Sequence, residues 1–333
     1  MLLEEIHHES LQQLLNGIRS QSELVLVPGL PLTPGNVLEV QGASGSGKTH
    51  LLYAAIIICI SPATGGGWGK GAVLFDSDNS FDLNRFKSLF TSHVAHSLHS
   101  TPFSQTLQTL VDRCLNSLHI FRPSSSDQLA SSILHLPLYH SSQMMRQEIG
   151  LIAIDSLSAF YWPDRYAIEQ LRSRAGYNTV KDASNPLRHI LIALERIRVM
   201  YRPLIIFTNW GLTFSQPELQ HSMSHFKFYK QHLHPLTSLS ADDGHLPVPH
   251  GSMLLPLSHH ITLTSTPAIQ SHLKPDHRAD TEDEETLGSA RTKQKCMVIG
   301  AVRIPGVPEV VKFSFAIETD SLSFCKATDD MSP

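Results

Sequence analysis

Cysteine is scarce in this sequence and widely scattered. Cys59, Cys114, Cys296 and Cys325 form no CxxC pair, which argues against a disulfide framework or a zinc ribbon and for a reducing compartment. Charge is also scarce, at 17% of residues, with a net value of −4. That excludes a strongly basic protein coating nucleic acid by bulk charge, and leaves room for a local basic surface. No long apolar run is present. The longest, Leu51–Ile60, reaches about half of what a bilayer span needs, so no membrane partner is expected. The N-terminus, MLLEEIHHES, lacks the basic start and apolar core of a signal peptide. No repeat of 20–50 residues is visible, and the stretch Arg291–Lys295 is too sparse for a clear basic targeting signal. Apolar residues, by contrast, make up 41% of the 333 residues. That is enough for one large α/β domain or two small ones.

The chain changes character along its length. Leu3, Ile6, Leu11, Leu14, Leu15 and Ile18 recur at helical spacing, predicting a helix over residues 2–18 that docks on another chain or on the core edge. A turn-rich connector with Pro28, Gly29, Pro31, Pro34 and Gly35 follows. Strands are expected at 36–41, 72–75, 118–121, 149–154, 204–208 and 261–265, the early ones alternating with helices over 48–60, much of 82–119 and 186–201. This alternation predicts a mostly parallel α/β sheet flanked by helices. Residues 297–302 and 310–316 alternate as a C-terminal β-hairpin. Residues 211–258 read as a long loop region rich in His, Ser and Pro, and 267–295 as an acidic, disordered insertion.

The chemistry concentrates at Gly42-Ala43-Ser44-Gly45-Ser46-Gly47-Lys48-Thr49, which matches the P-loop pattern GxxxxGK[ST]. Glycines let backbone amides turn towards phosphate oxygens, and the following helix adds its N-terminal dipole. Lys48 can reach the outer phosphates, and the Thr49 hydroxyl can ligate Mg²⁺. Residues Gly42 to His50 are therefore the candidate ATP-binding segment. A P-loop also needs a strand ending in a carboxylate near the metal. Leu151-Ile152-Ala153-Ile154-Asp155 has that form, making Asp155 the second candidate Mg²⁺ residue. Asp78 lies in Phe75-Asp76-Ser77-Asp78-Asn79-Ser80-Phe81, after the strand that follows the P-loop helix, and its bland reading is a loop cap.

The P-loop, the 75–81 segment and Asp155-Ser156-Leu157-Ser158-Ala159-Phe160-Tyr161-Trp162-Pro163-Asp164-Arg165 together resemble the RecA-like recombinases, in their eukaryotic recombinase paralogue branch. The likeness runs over about residues 24–320 and is firm at 36–50, 72–85 and 150–165. It implies a RecA-like P-loop core at 36–325, preceded by an N-terminal helix and connector at 1–35 and followed by a tail at 326–333. The short stretch before the core suits a branch without an N-terminal DNA-binding helical domain. The resemblance further implies an ATP- and Mg²⁺-binding nuclear protein of homologous-recombination repair. Its partners would be another RecA-like recombinase paralogue, in a heteromer, and single-stranded DNA through that complex.

Two departures from the family bear on turnover. In the family the acid that activates water is usually Glu; the resemblance makes Asp78, with Lys48, the candidate catalytic pair, and Asp78 is shorter by one methylene. The strand that usually ends Thr-Asn-Gln here ends Thr208-Asn209-Trp210, so the amide that senses the γ-phosphate is replaced by an indole. Weak or absent DNA-dependent ATPase activity follows. No Phe-x-x-Ala motif precedes the core, which argues against long filaments. The alternative is a self-sufficient DNA-dependent ATPase or recombinase, which needs a competent acid and sensor. A small-molecule kinase would carry an arginine-rich lid, and no such segment is visible.

Phe226, Lys227, Phe228, Tyr229 and Lys230 interleave aromatic and basic residues as single-strand binders do, a pattern that fits core packing or partner contact equally. Phe160-Tyr161-Trp162 could stack on bases in the same way, but in this position packing is expected. The 20 histidines include His93, His96 and His99, spaced by three, but no third ligand type completes a zinc site, so solvated surface histidines are expected.

Overall fold

The computed structural model describes residues 24–97, 104–145, 147–175, 186–212, 228–229, 255–265 and 296–326. The expected helix over 2–18, the acidic stretch 267–295 and most of 211–258 lie outside them.

The described chain begins with β1 (Leu24–Val27) and β2 (Leu30–Leu32), an antiparallel hairpin. Its turn contains Gly29 at a φ of 81°, a left-handed conformation that glycine adopts without strain. The density of proline and glycine suggests only a connector here. Yet Leu26, Val27, Leu30 and Leu32 are buried in the main core. Apolar side chains on both arms outweigh the turn formers between them.

The central elements then follow in order: β3 (Val37–Gly42), α1 (Lys48–Ile60), β4 (Gly71–Asp76), α2 (Leu83–Ser97), α3 (Ser104–Leu115) and β5 (Leu118–Phe121). Next come α4 (Ser126–Leu134), α5 (Leu136–Gln143), β6 (Ile149–Asp155), α6 (Tyr161–Ala175), α7 (Pro186–Tyr201) and β7 (Leu204–Trp210). The described chain closes with β8 (His259–Ser265), β9 (Cys296–Ile304), β10 (Val307–Ile317) and β11 (Leu322–Lys326). Among the described residues, nine strands form one sheet in the order β11-β10-β9-β8-β3-β7-β6-β4-β5. Strands β8, β3, β7, β6, β4 and β5 run parallel, while β8 to β11 pair antiparallel. The fold is thus α/β with a mostly parallel sheet. The expected C-terminal hairpin is extended by β11, a short edge strand with no strong signal of its own.

Every residue of β4 and of β6 is buried, because helices cover both faces. On one face, α1, α2 and the β1–β2 hairpin pack on Leu38, Val40, Leu74, Leu151 and Ile206. On the other, α4 and α7 cover Val37, Val73, Ile152, Ile154 and Phe207. Helix α1 buries residues around its whole circumference, as its nearly continuous apolar sequence requires. It ends at Ser61, whose amide still bonds to the Ile57 carbonyl before Pro62 stops the helix. Among the described residues no helix is long and apolar enough to cross a membrane.

Candidate nucleotide-binding site

The parallel strands β3, β7, β6 and β4 all point their C-terminal ends at one edge, and the candidate residues gather there. Strand β3 ends at Gly42 and α1 begins at Lys48, so the P-loop spans the gap between them. Gly45 and Gly47 take φ values of 72° and 88°, the left-handed region open to glycine. Gly47 has a further reason to be glycine: a Cβ there would lie 3.0 Å from Val298 and 3.1 Å from the Phe315 ring. At Gly42 a Cβ would fall 2.2 Å from Ser46 Oγ. Ala43, Ser44 and Gly45 are exposed, and the N-cap residue of α1, Gly47, has no side chain to cap the amides that begin it. A helix N-terminus left open in this way suits an anion. Among the described residues Ser46 Oγ is buried and has no hydrogen-bond partner. The cradle therefore has the shape and donor set that a phosphate chain needs.

Lys48 Nζ donates to the carbonyls of Gly42 at 2.9 Å and Ala43 at 2.7 Å. Thr49 Oγ1 donates to Asp155 Oδ2 at 2.7 Å, and Thr208 Oγ1 to Asp155 Oδ1 at 2.5 Å. Burial lowers the Lys48 pKa despite the opposing fields of Asp155 and Asp78. Burial also raises the Asp155 pKa, against the two threonine hydroxyls and Lys48. Desolvation thus outweighs the attraction between the cation and the carboxylate, and each is pushed towards its neutral form.

Asp76 and Asp155 are neighbours in the β4–β6 ladder but differ in environment. Asp76 is fully buried; its carboxylate accepts from the Phe81 amide at 3.3 Å and from Arg122 Nε at 3.1 Å. It braces the turn at 77–81. Asp78 lies exposed on that turn, and its Oδ1 accepts the Ser80 amide at 3.1 Å. It still acts on both Lys48 and Asp155 through its charge. Lys48, Thr49, Asp155 and Asp78 are therefore brought together. His50 turns aside to Tyr53, ring centres 5.6 Å apart, and burial with the nearby Arg85 pushes its pKa down to about 4.

Strand β7 supplies residues that spacing alone does not mark. Thr208 holds Asp155, and the Trp210 amide donates to Ser158 Oγ at 3.1 Å. Trp210 stands beside Gly42 in the β3–β7 register. Their advance signals were a place at the end of an apolar strand and the likeness of Thr208-Asn209-Trp210 to the family's strand end.

Elsewhere the sequence expectations fare unevenly. Phe160 is buried as expected, but Trp162 is 55% exposed, with Arg165 5.8 Å from its ring centre. Phe160 faces the core under the sheet, whereas Trp162 sits on the outer side of α6. Phe228 and Tyr229 pack on the protein, while Phe226, Lys227 and Lys230 lie outside the described residues. His259 and His260 are buried, contrary to a purely solvated role for the histidines. The pairing of β8 between β3 and β9 puts them inside, and burial pushes their pKa values down to about 4 and about 3. Among the described residues no three His, Cys, Asp or Glu side chains form a metal cluster.

No protein-family model matches the chain. It is 31% identical to the DNA repair protein XRCC2 of Mus musculus over 178 residues, 54% of this chain and 57% of that protein. It is 28% identical to the XRCC2 homolog of Arabidopsis thaliana over 231 residues, 60% of this chain and 62% of that one. The DNA repair and recombination protein RadA of Halobacterium salinarum is 24% identical over 187 residues, 52% of this chain and 51% of RadA. The chain thus spans less than two thirds of the length of the curated relatives it matches. With a P-loop at the head of a mostly parallel sheet and these relatives, the chain is similar to the RecA-like recombinases and, among them, to XRCC2.

Proposed function

We propose that this protein binds Mg-ATP and acts in DNA double-strand break repair by homologous recombination, as one subunit of a heteromer with another RecA-like recombinase paralogue. Within that complex it assists the main recombinase on single-stranded DNA, in the nucleus. The observation that carries the reading is the convergence of Lys48, Thr49 and Asp155 on one sheet edge beside a glycine cradle. In this reading, the amides from Gly42 to His50 hold the phosphates and Lys48 neutralises the outer ones. Thr49 and Asp155 hold the Mg²⁺. The Thr49–Asp155 hydrogen bond supports this, because it already sets two oxygens at one point. The metal, when bound, supplies charge neutralisation for the phosphates.

Turnover is a lesser part of the role. Asp78 reaches out on a short arm from an exposed turn, and Trp210 offers no side-chain amide at the place of the sensor. A misplacement of about 1 Å can cost roughly a hundredfold in rate. The names of the relatives support the repair assignment.

Calorimetry tests the binding claim. Wild type should bind Mg-ATP, and Lys48→Ala and Thr49→Ala should lose at least about tenfold in affinity, as expected when a charged phosphate contact or a metal ligand goes. Equal affinity of wild type and Lys48→Ala would reject it. Affinity purification from cells tests the assembly claim: recovery of a second RecA-like chain is expected, and its absence under native conditions counts against the heteromer. Robust, DNA-stimulated, Asp78-dependent hydrolysis by the isolated protein would favour a self-sufficient ATPase instead.

A further inference from the structure

Gly211, the residue after β7, donates its amide to the Gly42 carbonyl at 3.0 Å. That carbonyl also accepts Lys48 Nζ at 2.9 Å. One oxygen at the root of the P-loop is thus shared between the lysine and the chain leaving β7. What seats Gly211 is Tyr229. A Cβ at Gly211 would lie 2.6 Å from the Tyr229 ring, so the buried ring rests directly on the glycine backbone. The adjacent Phe228 covers Arg303 of β9, whose guanidinium carbon lies 4.1 Å from the ring centre.

Arg303 is fixed from behind. Its NH2 group lies 3.1 Å from His260 Nδ1. An arginine only donates, so Nδ1 accepts and the His260 proton sits on Nε2. Nε2 then donates to Gln41 Oε1 at 2.9 Å, and Gln41 Nε2 donates to Glu39 Oε1 at 3.2 Å. Glu39 Oε1 also accepts Asn209 Nδ2 at 2.7 Å. Every donor points towards the Glu39 carboxylate, so the direction of each bond is set by charge. The path crosses β9, β8 and β3 and returns to β7 two residues before Gly211. Side-chain contacts on one sheet face thus close a circuit that begins and ends beside the P-loop.

We propose that Phe228 and Tyr229 form a clasp that seats Gly211 against Gly42, with Arg303 as its anchor, and that nucleotide affinity depends on this clasp. The inference rests on the nucleotide-binding reading above and deepens it by adding positioning residues that touch no phosphate themselves. With the clasp in place, the Gly42 carbonyl is fixed before nucleotide arrives, and preorganisation of this kind adds affinity without a new contact. Without it, the base of the loop must be ordered at the expense of binding.

The test uses Phe228→Leu, Arg303→Met and Arg303→Lys in the full chain. It measures amide hydrogen exchange at Trp210 and Gly211, Mg-ATP affinity by calorimetry, and melting temperature. Phe228→Leu and Arg303→Met should speed exchange at these two amides and weaken Mg-ATP binding, each by about tenfold. Arg303→Lys, which still donates to His260 Nδ1, should recover most of both. A lower melting temperature with unchanged exchange and unchanged affinity would overturn the proposal, since that is the signature of packing alone. If Arg303→Met fails to fold, Phe228→Leu decides, because it leaves the polar path intact. If wild type binds no Mg-ATP, the nucleotide reading falls separately, and unchanged exchange at Gly211 would still defeat the clasp.

Discussion

At the scale of single residues, Asp155 shows how a candidate metal ligand can weigh against stability. Its folded pKa is raised, chiefly by burial. Such a group stabilises the fold fully below its unfolded pKa and loses that contribution as pH rises through the folded value. At neutral pH the buried carboxylate is therefore a cost. Asp155→Asn keeps an acceptor for Thr208 and offers an amide to Thr49. It is expected to raise the melting temperature at pH 7 by a few degrees, roughly what 1 kcal/mol gives in a large domain. The gain should shrink as the wild type is titrated towards pH 4, and Mg²⁺ dependence of nucleotide binding should disappear. A melt lowered at pH 7 would contradict this. Lys48, Thr49 and Asp155 could be singled out because the P-loop pattern fixes the first two and an apolar strand ending in Asp marks the third. The partners of Thr208 and Ser158 could not, because they depend on which strands lie beside β6 and β7. That order is a property of the sheet and leaves no local trace.

At the scale of elements, boundaries were readable wherever stop signals flank an apolar stretch. Helix α1 ends at Ile60 before Ser61-Pro62, and α7 starts at Pro186. Helix α6 escaped because Trp162, Tyr166 and their neighbours leave it no regular apolar stripe. The β1–β2 hairpin was masked by its own turn residues. Its burial makes a clear demand. Leu30 is 1% exposed within the main core, so Leu30→Ala should cost about 2–5 kcal/mol in denaturant unfolding, the usual range for a buried leucine. A cost under about 0.5 kcal/mol, typical of exposed sites, would show the hairpin to be a loose connector. At the start of α4, Ser125 Oγ accepts the Gln128 amide at 3.1 Å. Ser125→Ala should cost about 1 kcal/mol by the same assay.

For the whole molecule, the sequence distinguishes a packed core from polar surroundings, and stability should follow that division. Residues 276–290 hold five acidic residues between 280 and 285 and few apolar ones. Their removal should leave the melting temperature within about 2 °C, since shortening a polar connection changes closure entropy little. A drop of several degrees would place that stretch against the core.

The neighbours of β3 carry a consequence for biosynthesis. This strand leads into the P-loop, yet it pairs with β7 and β8 alone, whose residues begin at 204 and 259. On the ribosome, β3 therefore emerges without either partner and keeps an open side until β8 has been made. Pairings so distant in sequence form slowly and leave apolar surface uncovered in the interim. A nonsense codon just before residue 255 would release a chain that contains the whole P-loop and both acids but leaves β3 unflanked on one side. Such a product should be a client of chaperones and proteases, and should not retain nucleotide.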